Sequence, residues 1–326
     1  MRIKSRIKQK EIIMAHYLSI ITICILLFLT SQFSNAEDSI RQHKFPFKLV
    51  NNKVLVPVNI GNSRTFDLIL DSGFGFEGII LFKGNLTDSI SLFNRIIVQI
   101  PGAGDGPPSN AIMSDSMTFN SGSCEFKNQR VIILQNSKFS GSSSDGVIGY
   151  TYFGNHKVEV DYDNNIIILH NNEDAIDESE YETIPLTFDE NNKPHLNIFV
   201  SIANEQPVML DVYIDYAASL SLELTVKEGM KFRLPEKFEA EFNGYGLSGD
   251  IKGKTARIAK YTIGKYELRD VTATFFEGNS RSKDKYADGV ISNDALRRFN
   301  LVFDYYNKKL LIKPNNSFYE PFEIIR

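Results

Sequence analysis

"SDGVIGYTYFGNHKVEVDYDNNIIILH", residues 144–170, and "ADGVISNDALRRFNLVFDYYNKKLLIK", residues 287–313, align without a gap. Asp145-Gly146-Val147-Ile148 falls on Asp288-Gly289-Val290-Ile291. Asp161-Tyr162 falls on Asp304-Tyr305, sixteen residues on in both copies. Self-similarity at a fixed spacing marks a repeated structural unit. Projected backwards, the copy relation joins two more stretches. Asp71, in "LILDSGFG" (68–75), lies 74 residues before Asp145, and Asp215, in "VYIDYAAS" (212–219), lies 73 before Asp288. Each is an apolar run that ends in a carboxylate. A glycine-rich loop begins 31 and 29 residues after the respective aspartates: "GAGDG" at 102–106, with Gly102, Gly104 and Gly106, and "GYGLSG" at 244–249, with Gly244, Tyr245 and Gly246.

The segments around these markers read as β-structure. "KVLVPVNIGNSRTFDLILD" gives two strands joined at Gly61-Asn62, and "KVEVDYDNNIIILH" gives a hairpin turning at Asp163-Asn164-Asn165. Long amphipathic patterns are missing. The expected fold is therefore all-β, with two similar barrel-like lobes around a central cleft and few short helices. The expected division is 37–170 for the first lobe, an acidic linker at 171–183 ("NNEDAIDESEYET") and 184–326 for the second.

Residues 1–36 read as a signal peptide. Arg2, Lys4, Arg6, Lys8 and Lys10 precede the apolar run Tyr17–Thr30, and Ser34-Asn35-Ala36 supplies small residues for cleavage after Ala36. The run is shorter than the roughly 20 residues of a spanning helix. Met14 is an alternative start. The expectation is an exported protein, periplasmic or secreted, with no membrane attachment after cleavage. The full chain has a net charge of −4 and residues 1–36 carry +4, which leaves −8 for the remainder. That balance argues against nucleic acid as a partner. Cys124 is the sole cysteine after residue 36, so no internal disulfide is expected, and it reads as a strand residue. His43, His156, His170 and His195 lack ligand spacing, so neither a metal nor another cofactor is expected.

Duplicated lobes often pack about a pseudo-twofold axis, where residues meet their own counterparts. Two carboxylates brought together in this way share one proton. One can then act as base on a water while the other donates to a carbonyl. The readings that compete for single residues are turn chemistry at Asp145-Gly146 and Asp288-Gly289, and surface hairpins opened by Asp161-Tyr162 and Asp304-Tyr305.

"LILDSG" and "DGVIG", with their copies "YIDYAAS" and "DGVIS", resemble the pepsin-like and retropepsin-like aspartic proteases over residues 50–314. The likeness is to exported bacterial single-chain members with two retropepsin-sized lobes. It implies an endopeptidase acting on peptide or unfolded protein, most simply as a monomer, with Asp71 and Asp215 as the catalytic pair. Ser72 and Gly73 would support the first aspartate, and Tyr216 and Ala217 stand where the second copy should supply the same support. The loops around Gly102–Gly106 and Gly244–Gly249 would cover or rim the cleft, and Tyr245 would be either a tyrosine over the substrate or a surface aromatic. The second motif departs from the family, with Tyr216 in place of Thr or Ser and Ala217 in place of Gly. Either the lobe has adjusted around an active pair, or the fold persists as a module that binds peptide or protein without cleaving it.

Overall fold

Lys53–Ile60 (KVLVPVNI) buries Val54, Leu55 and Val56 in succession before it alternates, and Thr65–Leu70 (TFDLIL) runs from exposed to fully buried as it nears Asp71. Such strands are stable only if both faces find cover. The computed structural model describes residues 42–88, 90–104, 106–135, 138–203, 205–277 and 287–324. The expected signal segment lies outside the described residues.

The first lobe contains β2 (Lys48–Val50), β3 (Lys53–Ile60), β4 (Thr65–Leu70), β5 (Ile79–Leu81), β6 (Ile96–Ile100), β7 (Ser109–Ser121), β8 (Cys124–Leu134) and β9 (Gly146–Ile148), in the order β2-β3-β4-β9-β5-β8-β7-β6. A further β3–β7 pairing closes six of these strands into a barrel. The second lobe repeats the plan strand for strand. It contains β13 (Thr187–Phe188), β14 (Pro194–Ser201), β15 (Val208–Asp215), β16 (Leu222–Val226), β17 (Ala240–Gly246), β18 (Gly249–Ile263), β19 (Tyr266–Glu277) and β20 (Gly289–Ser292). Their order is β13-β14-β15-β20-β16-β19-β18-β17, closed by a β14–β18 pairing. Two four-residue helices, α1 (Tyr150–Phe153) and α2 (Asn293–Leu296), follow β9 and β20.

A third sheet joins the lobes, in the order β1 (His43–Pro46), β11 (Ile166–His170), β10 (Lys157–Asp161), β21 (Phe299–Asp304), β22 (Lys309–Pro314), β12 (Glu182–Pro185). The aligned repeats meet at its centre, where Val158 pairs with Phe303 and Val160 with Leu301. Residues 171–181, between β11 and β12, contain no strand. One apolar cluster runs through both lobes, and Phe153 on α1 meets Phe303 edge-on at 5.0 Å and stacks on Tyr305 at 5.2 Å. Each fully buried side chain of this kind contributes roughly 1.5–3 kcal/mol.

The repeat extends to atomic detail. Asp161 caps its hairpin by accepting from the backbone of Asn164 at 3.0 Å, and Asp304 accepts from that of Asn307 at 3.0 Å. The hairpins exist, but their tyrosines are not surface residues: Tyr305 is buried, and the Tyr162 hydroxyl lies in the interlobe core. The Asp-Gly pairs also do more than turn. Asp145 receives a bidentate bond from Arg64 (2.9 and 2.8 Å), an ion pair from Lys83 (3.0 Å) and the Asp67 N–H (3.1 Å). Asp288 receives Lys231 at 2.6 Å and the Asp211 N–H at 3.1 Å. Each ties the start of its aligned segment to the strand that leads to the aspartate of the same lobe.

Burial alone would raise the Asp145 carboxyl. Arg64, Lys83 and the Asp67 N–H outweigh it and hold the group at about 2. The folded value lies below the roughly 3.9 of an unfolded chain, so this stabilisation is complete above about pH 5 and is lost as pH falls towards 2. Its size is about 2 kcal/mol. Urea titrations at pH 7, 5, 3 and 2 should show this acid loss in the native protein and a flatter profile in Asp145→Asn.

Candidate active site

Asp71 stands just past β4 and Asp215 ends β15, so each carboxylate leaves its strand where the barrel opens. Each is held by the backbone that follows it. Gly73 N–H donates to Asp71 Oδ1 at 2.8 Å, and the Ala217 and Ala218 N–H groups donate to Asp215 Oδ1 at 3.2 and 3.1 Å. Beneath the first, the Asp71 N–H bonds the Ile148 carbonyl at 2.8 Å, and a side chain at Gly149 would lie 2.2 Å from the Asp71 carbonyl oxygen. The floor of the second copy is different. Ser292 pairs in register with Asp215, stands at the N-cap position of α2 without capping it, and donates to the buried Glu223 carboxylate at 3.1 Å.

The two turns are joined by one hydroxyl. Ser72, 2% exposed, donates to the Ile214 carbonyl at 2.7 Å and accepts the Tyr216 N–H at 3.0 Å. The residue after one aspartate thus bonds to the residues on either side of the other. The copy of this serine does not return the contact. Tyr216 is fully buried, and its phenol turns away from the carboxylates to bond the hydroxyl of Tyr162 in the first lobe. Tyr162 donates onward to Asn293 Oδ1 at 2.6 Å, and Asn293 Nδ2 donates to the Asn52 carbonyl at 2.6 Å. Burial pushes both phenols above their ordinary range, so they remain neutral hydrogen-bonding groups. Ala217 creates no strain. Neither it nor Gly73 has a positive φ, and its methyl packs on an apolar cluster of the first lobe.

The glycine loops also meet across the lobes. Ser248 N–H bonds the Ala103 carbonyl at 2.9 Å, and Gly106 N–H bonds the Ser248 carbonyl at 2.5 Å. Gly102 N–H bonds Ser248 Oγ at 2.9 Å, and Ser109 Oγ bonds the Leu247 carbonyl at 2.7 Å. Leu247 rests on the first-lobe cluster that also takes Phe74 and Ala217, so the joined tips cover the ground beside the aspartates. Gly244 and Gly246 lie on the inner face of β17. Tyr245 is on its outer face, 61% exposed, with Lys138 over its ring at 4.9 Å, so it is a surface aromatic. A cavity of about 750 Å³ beside the tips is lined by Pro107, Lys138 and Asp250, and neither aspartate lines it.

Below the loops the two walls differ. In the first lobe Ile69, Val147, Ile80 and Ile132 stand in register across four strands. The same positions in the second lobe are Tyr213, Val290, Glu223 and Thr274, with Thr274 bonded to Thr255 at 3.0 Å.

Cys124 and His156 approach to 3.8 Å, but burial drives them to opposite neutral forms, the thiol up to about 11 and the imidazole down to about 4. A neutral pair of this kind is not an activated nucleophile.

No protein-family model matches the chain, and no curated protein matches its sequence. A solved structure, the aspartic proteinase from Irpex lacteus, matches 86% of this chain and 100% of its own length, with a TM-score of 0.57 and 13% identity. At that identity the likeness is one of fold. The chain has the two-lobe, pepsin-like architecture of an aspartic proteinase.

Removing the Ser72 hydroxyl deprives a buried N–H and a buried carbonyl of their shared partner. Ser72→Ala should cost roughly 2 kcal/mol in denaturant titrations. Tyr216→Phe should cost less, about 1 kcal/mol, because Tyr162 keeps Asn293.

Proposed function

We propose that the protein is an aspartic-type endopeptidase acting outside the cytoplasm, and that Asp71 and Asp215 cleave peptide bonds in unfolded chains. The observation that carries this reading is the Ser72 hydroxyl, bonded on both sides of Asp215 while adjacent to Asp71. A contact of this kind fixes two strand-end carboxylates relative to one another, and general acid–base chemistry needs that fixity to a fraction of an ångström.

The chemistry follows from two carboxyl groups in one site. Like charges at close range favour retention of one proton between them. The ionised group takes a proton from a bound water as that water attacks the peptide carbonyl. The protonated group donates to the carbonyl oxygen, and the tetrahedral species collapses when the amide nitrogen is protonated and leaves. The backbone N–H groups of Gly73, Ala217 and Ala218 each donate to one oxygen of a carboxylate and so fix its orientation.

Unfolded casein or a peptide library, incubated over pH 3–7, should be cleaved. Asp71→Asn and Asp215→Asn should each lower kcat by about a thousandfold, and a statine-type analogue should inhibit. Peptide bound without turnover, with affinity unchanged in Asp71→Asn, would instead identify a non-catalytic cleft. The one-sided interlobe contact at Tyr216 is the feature that favours that second reading.

The joined loops add a separate expectation. A chain can enter beneath them only if Ala103 and Ser248 part. Joining these positions through Ala103→Cys and Ser248→Cys should abolish cleavage under oxidising conditions and restore it on reduction, as read by casein hydrolysis before and after dithiothreitol.

A further inference from the structure

The duplication extends to a motif that lies before each aspartate. Asn51-Asn52-Lys53 recurs as Asn191-Asn192-Lys193. Both copies stand at a hairpin that crosses to the opposite lobe. Asn52 (φ 56°) and Asn192 (φ 60°) adopt the same left-handed conformation. Asn52 Nδ2 donates to the Ser219 carbonyl at 3.2 Å, and Asn192 Nδ2 donates to the Gly75 carbonyl at 3.0 Å. Ser219 and Gly75 each lie four residues past an aspartate. The fit on the Gly75 side is tight: a side chain there would stand 1.6 Å from the Asn191 carbonyl oxygen.

The register then fixes where the lysines fall. Leu55 pairs with Ile69, so one further two-residue step sets Lys53 opposite Asp71, on the same face of the sheet. His195 pairs with Tyr213, and the same step sets Lys193 opposite Asp215. The two copies part at this point. The first hairpin turns in two residues, Asn51 and Asn52, between paired Val50 and Lys53. The second spends Asp189–Lys193 on the turn, and the Lys193 ammonium lies over the Tyr213 ring at 4.7 Å. Lys53 is partly buried, and the charges of both Asp215 and Asp71 act on it.

We propose that Lys53 is a positioning residue for the carboxylate pair: carried across the lobe interface by the Asn51-Asn52 turn, its ammonium balances the pair's negative charge and favours its ionised form. The proposal rests on the reading of Asp71 and Asp215 as an acid–base pair. Burial holds Lys53 below the ordinary lysine range, and Asp215 and then Asp71 offset part of that cost. Such coupling is reciprocal, so the same contact favours ionised carboxylates. Among the described residues, the other titratable groups on the elements around the pair are Lys193, engaged with Tyr213, the Glu223 carboxylate that accepts from Ser292, and the phenols of Tyr150, Tyr162, Tyr213, Tyr216 and Tyr305. Tyr305 is held neutral by burial and then by the charge of Asp71. Lys53 is thus a cation on which both carboxylates act.

The test has two arms. In the first, kcat/KM is measured against pH for the native protein, Lys53→Met and Lys53→Arg. The methionine variant should move both limbs of the profile to higher pH by about one pH unit, and the arginine variant should leave them in place. In the second, the Lys53 ¹³Cε resonance of ¹³C-lysine-labelled protein is titrated in the native protein, Asp71→Asn and Asp215→Asn. It is assigned by its absence from Lys53→Arg. Its midpoint should fall when either carboxylate is neutralised. Unmoved limbs in Lys53→Met, or a Lys53 midpoint indifferent to both asparagine substitutions, would overturn the proposal. A native protein that cleaves nothing would refute the proteolytic reading, and the resonance titration would still decide whether Lys53 and the pair are coupled.

Discussion

The hydroxyl of Ser72 is the point at which the two barrels meet beside their strand-end aspartates. It is a single donor and acceptor, almost wholly buried, and it uses both capacities on the opposite lobe. Everything nearby takes its position from that contact. It brings the Asp71 turn against the end of β15 and leaves the carboxylates at the seam. The joint sheet beneath, with the repeats paired at β10 and β21, resists sliding of one lobe past the other. The loop tips above, bonded through Ala103 and Ser248, close the far side. A serine suffices here because a small hydroxyl can approach backbone groups of two residues at once. A larger side chain would hold the turns apart.

Tyr216 shows how the second copy could lose its hydroxyl without losing the joint. Its backbone N–H still serves Ser72, and its phenol has been moved to a different task, a chain of bonds through Tyr162 and Asn293 to the Asn52 carbonyl. That chain also fastens the hairpin that carries Lys53. The mirror-related set is Tyr305, Tyr150 and Ser72, and there the small serine leaves the Tyr305 phenol packed among Phe153, Phe188 and Phe303 instead. One lobe therefore contributes the interlobe hydroxyl and the other contributes the buried phenol. The departures from symmetry are complementary, which is the pattern of two copies that have diverged within one chain rather than one copy that has decayed.

The duplication was legible because the aligned repeats form contiguous structure: β9, α1, β10 and β11 recur as β20, α2, β21 and β22 with no insertion. Spacing within such a unit is set by strand length and hairpin geometry, so it survives divergence. The Asn-Asn-Lys motif was not legible by the same search. Its distance to the aspartate is 18 residues in one copy and 22 in the other, because the β14–β15 hairpin, paired out to Val200–Val208, is longer than the β3–β4 hairpin, paired out to Asn59–Thr65. The hairpins opened by Asp161-Tyr162 and Asp304-Tyr305 were legible, but the inward placing of their tyrosines was not, because the sequence does not say that these hairpins are folded into a lobe interface. Tyr245 could not be assigned a side until the pairing of β17 with β18 put Phe242 inward and Tyr245 outward. Ala217 stands where the motif has glycine, a position that close backbone approach or a positive φ would deny to a methyl. The backbone there never enters the left-handed region, so the methyl costs nothing and finds cover.

Duplication also separates the demands that a single lobe would have to meet twice. A symmetric pair of identical lobes must present the same wall to both ends of anything lying between them. In this chain the wall beside Asp71 is wholly aliphatic at four registered positions, whereas its counterpart beside Asp215 carries a phenol, a carboxylate and a threonine. A buried carboxylate is costly unless neighbours supply hydrogen bonds, and Ser292 supplies one. That requirement explains the serine at a position where the first copy has Gly149. The first copy needs close backbone approach to Asp71 there, and the second needs a donor to Glu223 more than it needs the approach. The difference between Gly149 and Ser292 is thus tied to the chemistry of the wall behind the serine.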